Sequence, residues 1–173
     1  MAKITKAKSK YKQLCEAYDN GIKECNGYCE ECRDFVQELK NNILDYLGCH
    51  ETKLFMYPPS TGFVYNNQTM QGDALDTEFG ENGQAAIGFA LNVNGNDLEE
   101  KFVTFIIVFK KIDDKFSFSV DDEKDFWNTH EGMEKFCDYL FEVAKDNLNN
   151  RLQNFLKSPE TANKPIGFKP GKN

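Results

Sequence analysis

Apolar residues recur along the first 47 positions at intervals of three and four residues, with mostly polar residues between them. The apolar positions are Ile4, Ala7, Tyr11, Leu14, Tyr18, Ile22, Cys25, Cys29, Cys32, Val36, Leu39, Ile43 and Tyr46. This period predicts amphipathic helix. Asn20-Gly21 and Asn26-Gly27 interrupt it, and each pair favours a turn or a helix end. One long helix would tolerate two unfavourable glycines, so we predict instead a helical pair over residues 3–19 and 28–47, the second ended by Gly48.

From residue 51 the period changes to that of strands. The predicted strands are 52–57, 62–65, 69–79, 84–93, 101–112 and 115–120, separated by turn residues such as Gly80–Gly83 and Asp113-Asp114. Phe102–Phe109 is apolar on both faces, which predicts a central strand covered on both sides by helices or, on one side, by a second subunit. In strand 84–93, Ala86, Gly88 and Ala90 form a face of small residues. This face would either let a helix pack closely against the strand or form the base of a shallow groove.

The last regular element is a helix over residues 129–156, with a predicted cap at Asn128 or Thr129. Its apolar face comprises Met133, Phe136, Cys137, Leu140, Phe141, Ala144, Leu148, Leu152 and Phe155. We therefore predict an α+β fold with a mainly antiparallel sheet of five to six strands. Residues 1–157 would form one domain, made of a helical part (1–48), the sheet (51–121) and the last helix, and residues 158–173 a flexible tail.

Composition and charge limit the classes of partner. The 173 residues are 40% hydrophobic, which is enough for one packed domain, and carry a formal net charge of −7. Residues 1–12 carry +5 and residues 157–173 carry +3, which leaves −15 on the body between them. A body this acidic repels phosphate backbones, so we expect it to bind no nucleic acid and to favour a basic protein.

The sequence also disfavours a membrane protein and an exported protein. The longest uncharged apolar run, Phe102–Phe109, is too short to span a bilayer, so we expect no membrane partner. The N-terminal residues lack the apolar block of an export signal. The six cysteines are then expected to be free thiols in the cytoplasm.

Cys25, Cys29 and Cys32 form the cluster that most resembles a motif. Their spacing continues the helical stripe, and free cysteine is common in protein cores, so we interpret them as small buried hydrophobes and predict no metal and no cofactor. The alternative is a zinc or redox module, in which Cys49 or His50 would supply a fourth zinc ligand.

Acidic and aromatic residues supply the candidate binding positions, which are Asp73, Asp76, Glu78, Tyr57, Tyr65 and Trp127. The three carboxylates lie in one predicted strand, where Asp76 and Glu78 share a face, and such pairs hold Mg²⁺ in nucleases and phosphoesterases. The two tyrosines flank a Pro58-Pro59 loop, and the tryptophan precedes the last helix. Aromatic side chains of this kind anchor protein interfaces.

Signatures of catalysis are weak in this chain. It has no nucleophile elbow and no phosphate-binding loop, and neither His50 nor His130 has an evident nucleophile beside it, so no catalytic residue is assigned. We predict a non-enzymatic intracellular binding protein, an acidic adaptor, inhibitor or immunity-type protein, that acts through a groove or an acidic face and can form a homodimer. The alternatives are a metal-dependent hydrolase or nuclease that uses the three carboxylates, and the cysteine module.

Overall fold

The fold was obtained as a computed structural model, which describes residues 9–64, 72–93, 102–120, 124–150 and 166–167. In chain order the helices and strands are α1 (Lys10–Leu47), β1 (Leu54–Tyr57), β2 (Glu78–Phe79), β3 (Gln84–Asn92), β4 (Phe102–Ile112), β5 (Lys115–Val120), β6 (Lys124–Trp127), α2 (His130–Asn149) and β7 (Ile166–Gly167). Short 3₁₀ helices lie at Glu51–Lys53, Ala74–Asp76 and Glu81–Gly83. The predicted α+β fold with a mainly antiparallel sheet is confirmed.

Within the described residues 9–47 there is one helix where we predicted two. Ser9 caps α1 by accepting a hydrogen bond from the Lys12 backbone N–H, and Gly48 ends it in the left-handed conformation at φ 60°. The predicted helical pair is wrong because α1 continues through both Asn-Gly pairs. Each glycine costs about 1 kcal/mol in a helix interior. Breaking the helix there would lose several backbone hydrogen bonds and require a second nucleation step.

The sheet has the strand order β1-β3-β4-β5-β6. Strands β3 and β4 pair antiparallel from Gln84↔Lys110 to Asn92↔Phe102, which places β4 at the centre, as predicted. Strand β2 also pairs with β3, while β7 lies parallel to β4 at Val103 and Thr104. The predicted hairpin β4–β5 turns at Asp113, whose φ is 54°.

Several boundaries differ from the prediction. Residues 62–64 form no strand, and within 72–79 only Glu78–Phe79 is a strand of the sheet. Strand β6 was not predicted. Residues 151–156 of the predicted helix, most of the predicted tail and Tyr65 lie outside the described residues. Within the described part of the chain, no helix is both long enough and apolar enough to cross a membrane.

Both described helices pack on the same face of the sheet, whereas the pattern predicted cover on both faces, by helices or, on one side, by a second subunit. The C-terminal half of α1 and the first half of α2 share one core cluster with β4. Its largest fully buried side chains include Phe35, Phe89, Phe105, Phe109, Phe118, Phe136, Leu39 and Ile43. Alternate residues of β4 point the other way, where Phe102 belongs to a second, smaller cluster with Tyr57 and Ala90.

Candidate binding sites

Asp73 and Asp76 stabilise the 3₁₀ turn between them. The Asp73 carboxylate accepts a hydrogen bond from the Leu75 backbone N–H at 2.6 Å, and the Asp76 carboxylate accepts one from the Asp73 N–H at 3.1 Å. Together they form a reciprocal capping box. Burial raises the pKa of Asp76, while its backbone hydrogen bond opposes that shift. Both carboxylates therefore have a local structural function.

Glu78 holds a neighbouring loop in place. Its carboxylate accepts hydrogen bonds from both the backbone N–H and the hydroxyl of Ser60, which ties the Pro58–Gly62 turn to β2. Asp76 lies in the 3₁₀ helix and Glu78 in the strand, so they do not share a strand face as we expected. Among the described residues, no group of three or more His, Cys, Asp or Glu side chains could hold a metal ion.

Tyr57 fills the small-residue face of β3. It pairs across the sheet with Gly88, and a Cβ added at Gly88 would lie 2.4 Å from the Tyr57 ring. Phe63 packs against this ring, with centroids 5.5 Å apart, and continues to Phe102 at 4.8 Å. Burial raises the pKa of the Tyr57 hydroxyl, and a hydrogen bond with Thr104 opposes that shift. The small-residue face that we predicted as the base of a shallow groove is therefore covered by the Tyr57 ring.

A cavity of about 440 Å³ lies beside this cluster. It is lined by Phe55, Met56, Tyr57, Pro58, Thr61, Gly62, Phe63, Val64, Gly72 and Asp76. A Cβ at Gly72 would lie 1.8 Å from the Met56 carbonyl oxygen, so only glycine fits where the backbone closes this wall. The fold thus brings Tyr57 and Asp76 together, with Asp73 and Glu78 nearby.

Trp127 lies in a different place from the other candidate residues. It belongs to β6, at the sheet edge opposite β1, and pairs with Ser117. The side chain is 42% exposed and lines a shallow depression with Ile112 and the Asp113-Asp114 turn. The predicted residues that the structure describes therefore belong to two separate surfaces.

The three clustered cysteines differ in burial along one helix. Cys32 is fully buried in the core, Cys29 is half-buried and Cys25 is exposed, and all are free thiols. Burial raises the pKa of Cys32. Because Cys25 and Cys32 are seven residues apart, their Cα atoms are separated by about 10 Å along the helix axis. The interpretation as buried hydrophobes is confirmed for Cys32 and wrong for Cys25.

Sequence analysis missed an apolar groove between the end of α1, strands β3 and β4, and the second half of α2. Its volume is about 390 Å³, and its apolar lining includes Leu47, Cys49, Leu91, Val93, Val103, Phe105, Leu140, Phe141, Ala144 and Leu148. The available signal was that the apolar face of the last helix continues past Leu140. Phe141, 41% exposed, shows where this face leaves the core.

A second feature missed by sequence analysis is the N-terminal part of α1, Lys10–Gly27, which we call the arm. The first sheet contacts of α1 occur after it, where the Tyr28 hydroxyl donates to the Gly83 carbonyl and Lys111 pairs with Glu31 at 2.7 Å. No residue from 9 to 27 is buried. Eighteen helical residues span about 27 Å, so the arm extends well past these contacts at the ends of β3 and β4.

The apolar stripe of the arm faces solvent. Tyr11 is 76% exposed, Leu14 and Tyr18 are each 70% exposed, and Ile22 is 44% exposed. The same stripe continues into the core, where Val36 and Leu39 are fully buried. Sequence analysis identified the stripe but assigned it to a helical pair that would have covered it.

In comparisons with known proteins, no family model, no curated protein and no solved structure matches this chain.

Proposed function

We propose that this protein is a non-enzymatic binding protein that docks another protein against the arm. The observation that carries this proposal is the exposed stripe, in which Tyr11, Leu14 and Tyr18 are each at least 70% exposed on one helix face. Single exposed apolar residues are ordinary, but several aligned on one projecting helix mark an interaction surface. An amphipathic helix of this kind binds by burying its apolar face against a groove or another helix.

The energetics of the arm support the same function. Helices in proteins gain most of their stability from tertiary packing of an apolar face, and no described residue of the arm is buried. Gly21 and Gly27 weaken it further, by about 1 kcal/mol each. Neither glycine has any atom within 4 Å of the position of a Cβ, so no contact in the described chain requires glycine there. A bound partner would supply the burial that the arm lacks.

Charge bears on the kind of partner. Lys10, Lys12 and Lys23 balance Glu16, Asp19 and Glu24, so the arm is neutral although the whole chain carries −7. The arm therefore selects by shape and apolar contact, whereas an acidic body would add attraction for a basic partner at low salt. As part of this proposal we retain an intracellular location, since all six thiols are free.

Site-specific photocrosslinking tests the proposal. A benzoylphenylalanine residue replaces Tyr18 on the stripe or, as the matched control, Asn20 on the polar face of the same turn. Irradiation of intact cells should give a discrete protein adduct from position 18 only, and Leu14→Asp should remove that adduct. Equal labelling from both positions, or an adduct that Leu14→Asp leaves unchanged, would contradict docking through the stripe.

A further inference from the structure

Large side chains and a glycine follow one another in a regular order along the apolar face of the arm. In a heptad frame, Tyr11 and Tyr18 occupy a positions, and Leu14 and Gly21 occupy d positions. Two tyrosines and a leucine project from these positions, Ile22 lies beside them, and nothing lies within 4 Å of the place that a Cβ would take at Gly21. A partner that fits this face must offer small residues opposite Tyr11 and a large residue opposite Gly21.

We infer that the partner is a second copy of this chain, with the two arms packed antiparallel about a two-fold axis near residue 16. This inference rests on the proposed function, because it names the partner of the same surface. In antiparallel packing, a positions face d positions. Tyr11 then lies over Gly21 of the second copy, and Leu14 meets Tyr18. The arm supplies both the large side chain and the space that receives it.

The charges flanking the stripe match the same register. Lys10 and Glu24 occupy g positions at opposite ends of the overlap. In the antiparallel pair each lysine faces the glutamate of the other copy, which gives two ion pairs of opposite charge. A parallel pair would instead place Lys10 beside Cys15 and Ala17 beside Ile22, without charge pairing. The pattern of charges therefore specifies orientation as well as partner.

The body of the protein also permits only the antiparallel orientation. From Cys32 to Ile43 the stripe is buried in the core of its own chain, against the sheet and α2. In a parallel pair, the second helix would reach this point on the same side and collide with the sheet. In the antiparallel pair the two Tyr28 residues lie about 36 Å apart along the axis, so the bodies are well separated.

Sedimentation equilibrium of the purified full-length chain tests this inference. The wild-type protein should show a reversible monomer–dimer equilibrium. Gly21→Leu should raise the dissociation constant by at least about 30-fold, because the new side chain fills the space for Tyr11 at two symmetric places. Gly27→Leu is the matched control on the polar face and should leave the constant unchanged. Leu14→Asp should raise it by about 100-fold or more.

Disulfide trapping tests the orientation independently. Cys15 lies next to the proposed axis, so the two Cys15 thiols are close, whereas two Cys25 thiols lie about 27 Å apart along the axis. Oxidation of wild-type protein with copper phenanthroline should give a covalent dimer that Cys15→Ser abolishes and Cys25→Ser preserves. Covalent dimer that depends on Cys25 would overturn the antiparallel register.

The outcomes separate this inference from the proposed function. A chain that stays monomeric up to millimolar concentration overturns self-association. If position 18 then still crosslinks to a different protein in cells, docking through the arm stands and its partner is not a second copy. If self-association occurs but is unaffected by Leu14→Asp and Gly21→Leu, the contact lies elsewhere and the inference is wrong.

Discussion

Phe35 and Tyr18 are both aromatic residues of α1, one in the core and one on the arm, and truncating each to alanine tests how much each side chain contributes to the fold. Phe35 is 2% exposed and lies within 5.4 Å of three aromatic rings, including a stacked Phe116 at 4.4 Å. Tyr18 is 70% exposed. The two side chains are similar in size and belong to the same helix, so the main difference between them is burial.

The two substitutions are expected to lower the free energy of unfolding by amounts that differ several-fold. Phe35→Ala removes a buried ring from a packed cluster, which typically costs about 3–5 kcal/mol. Tyr18→Ala removes a side chain of which less than a third is buried, so the lost burial is on the order of 0.5 kcal/mol. The higher helix propensity of alanine offsets part of that loss. We therefore expect the free energy of unfolding to fall by several kcal/mol for Phe35→Ala and to change by less than about 0.5 kcal/mol for Tyr18→Ala.

Urea unfolding measures both values, with the fluorescence of Trp127 and far-ultraviolet circular dichroism as probes. The protein concentration must be low enough to keep the chain monomeric, because dimerisation would add apparent stability to the wild type. Equal m-values would show that both variants unfold from comparable folded states. A loss above about 1.5 kcal/mol for Tyr18→Ala would refute the projecting arm, and a loss below about 1 kcal/mol for Phe35→Ala would refute the assigned core.

Three further predictions concern the sheet, the loop and the core thiol. Gly88→Ala should destabilise the protein by about 2 kcal/mol or more in the same assay, because its Cβ would lie 2.4 Å from the packed Tyr57 ring; an unchanged midpoint would contradict this contact. Glu78→Ala should make the Pro58–Gly62 turn more sensitive to limited proteolysis, since Ser60 loses its acceptor, and unchanged cleavage there would count against this role. Burial raises the pKa of the Cys137 thiol from 9.0 to about 11, so its contribution to stability is complete below pH 9 and is lost as pH rises to 11. Between pH 8 and pH 10.5 the free energy of unfolding should therefore fall more in wild type than in Cys137→Ala, by on the order of 1 kcal/mol, and equal slopes would be inconsistent with a protonated buried thiol.

The carboxylates illustrate how residue type can suggest chemistry that the fold uses otherwise. Asp73 and Asp76 cap a 3₁₀ turn, and Glu78 accepts hydrogen bonds from Ser60. Their clustering in sequence is what a tight turn followed by a two-residue strand requires, because short elements leave backbone N–H groups that need acceptors. The metal-dependent enzyme alternative gains no support from this geometry.

Much of the fold could be predicted because local pattern and tertiary structure agree there. The apolar run of β4 predicted a central strand, and the Asp113-Asp114 turn with its alternating β5 predicted the hairpin. Thr129 was predicted as a cap, and its hydroxyl accepts a hydrogen bond from Gly132 N–H at 3.1 Å. Strand β6 was missed because four residues with two charges carry little periodic signal, and its pairing with β5 supplies the stability.

The sequence by itself determined which face of α1 is apolar, since a step of three and four residues aligns side chains on a helix whatever surrounds it. Only the tertiary structure decided what covers that face. The sheet ends beside Tyr28, at its hydrogen bond to Gly83, so an unbroken stripe is core on one side of this point and surface on the other. Periodicity specifies the direction of a side chain, whereas burial depends on how far a distant strand extends. For that reason the predicted helical pair is instead one helix, whose N-terminal part carries an exposed apolar stripe.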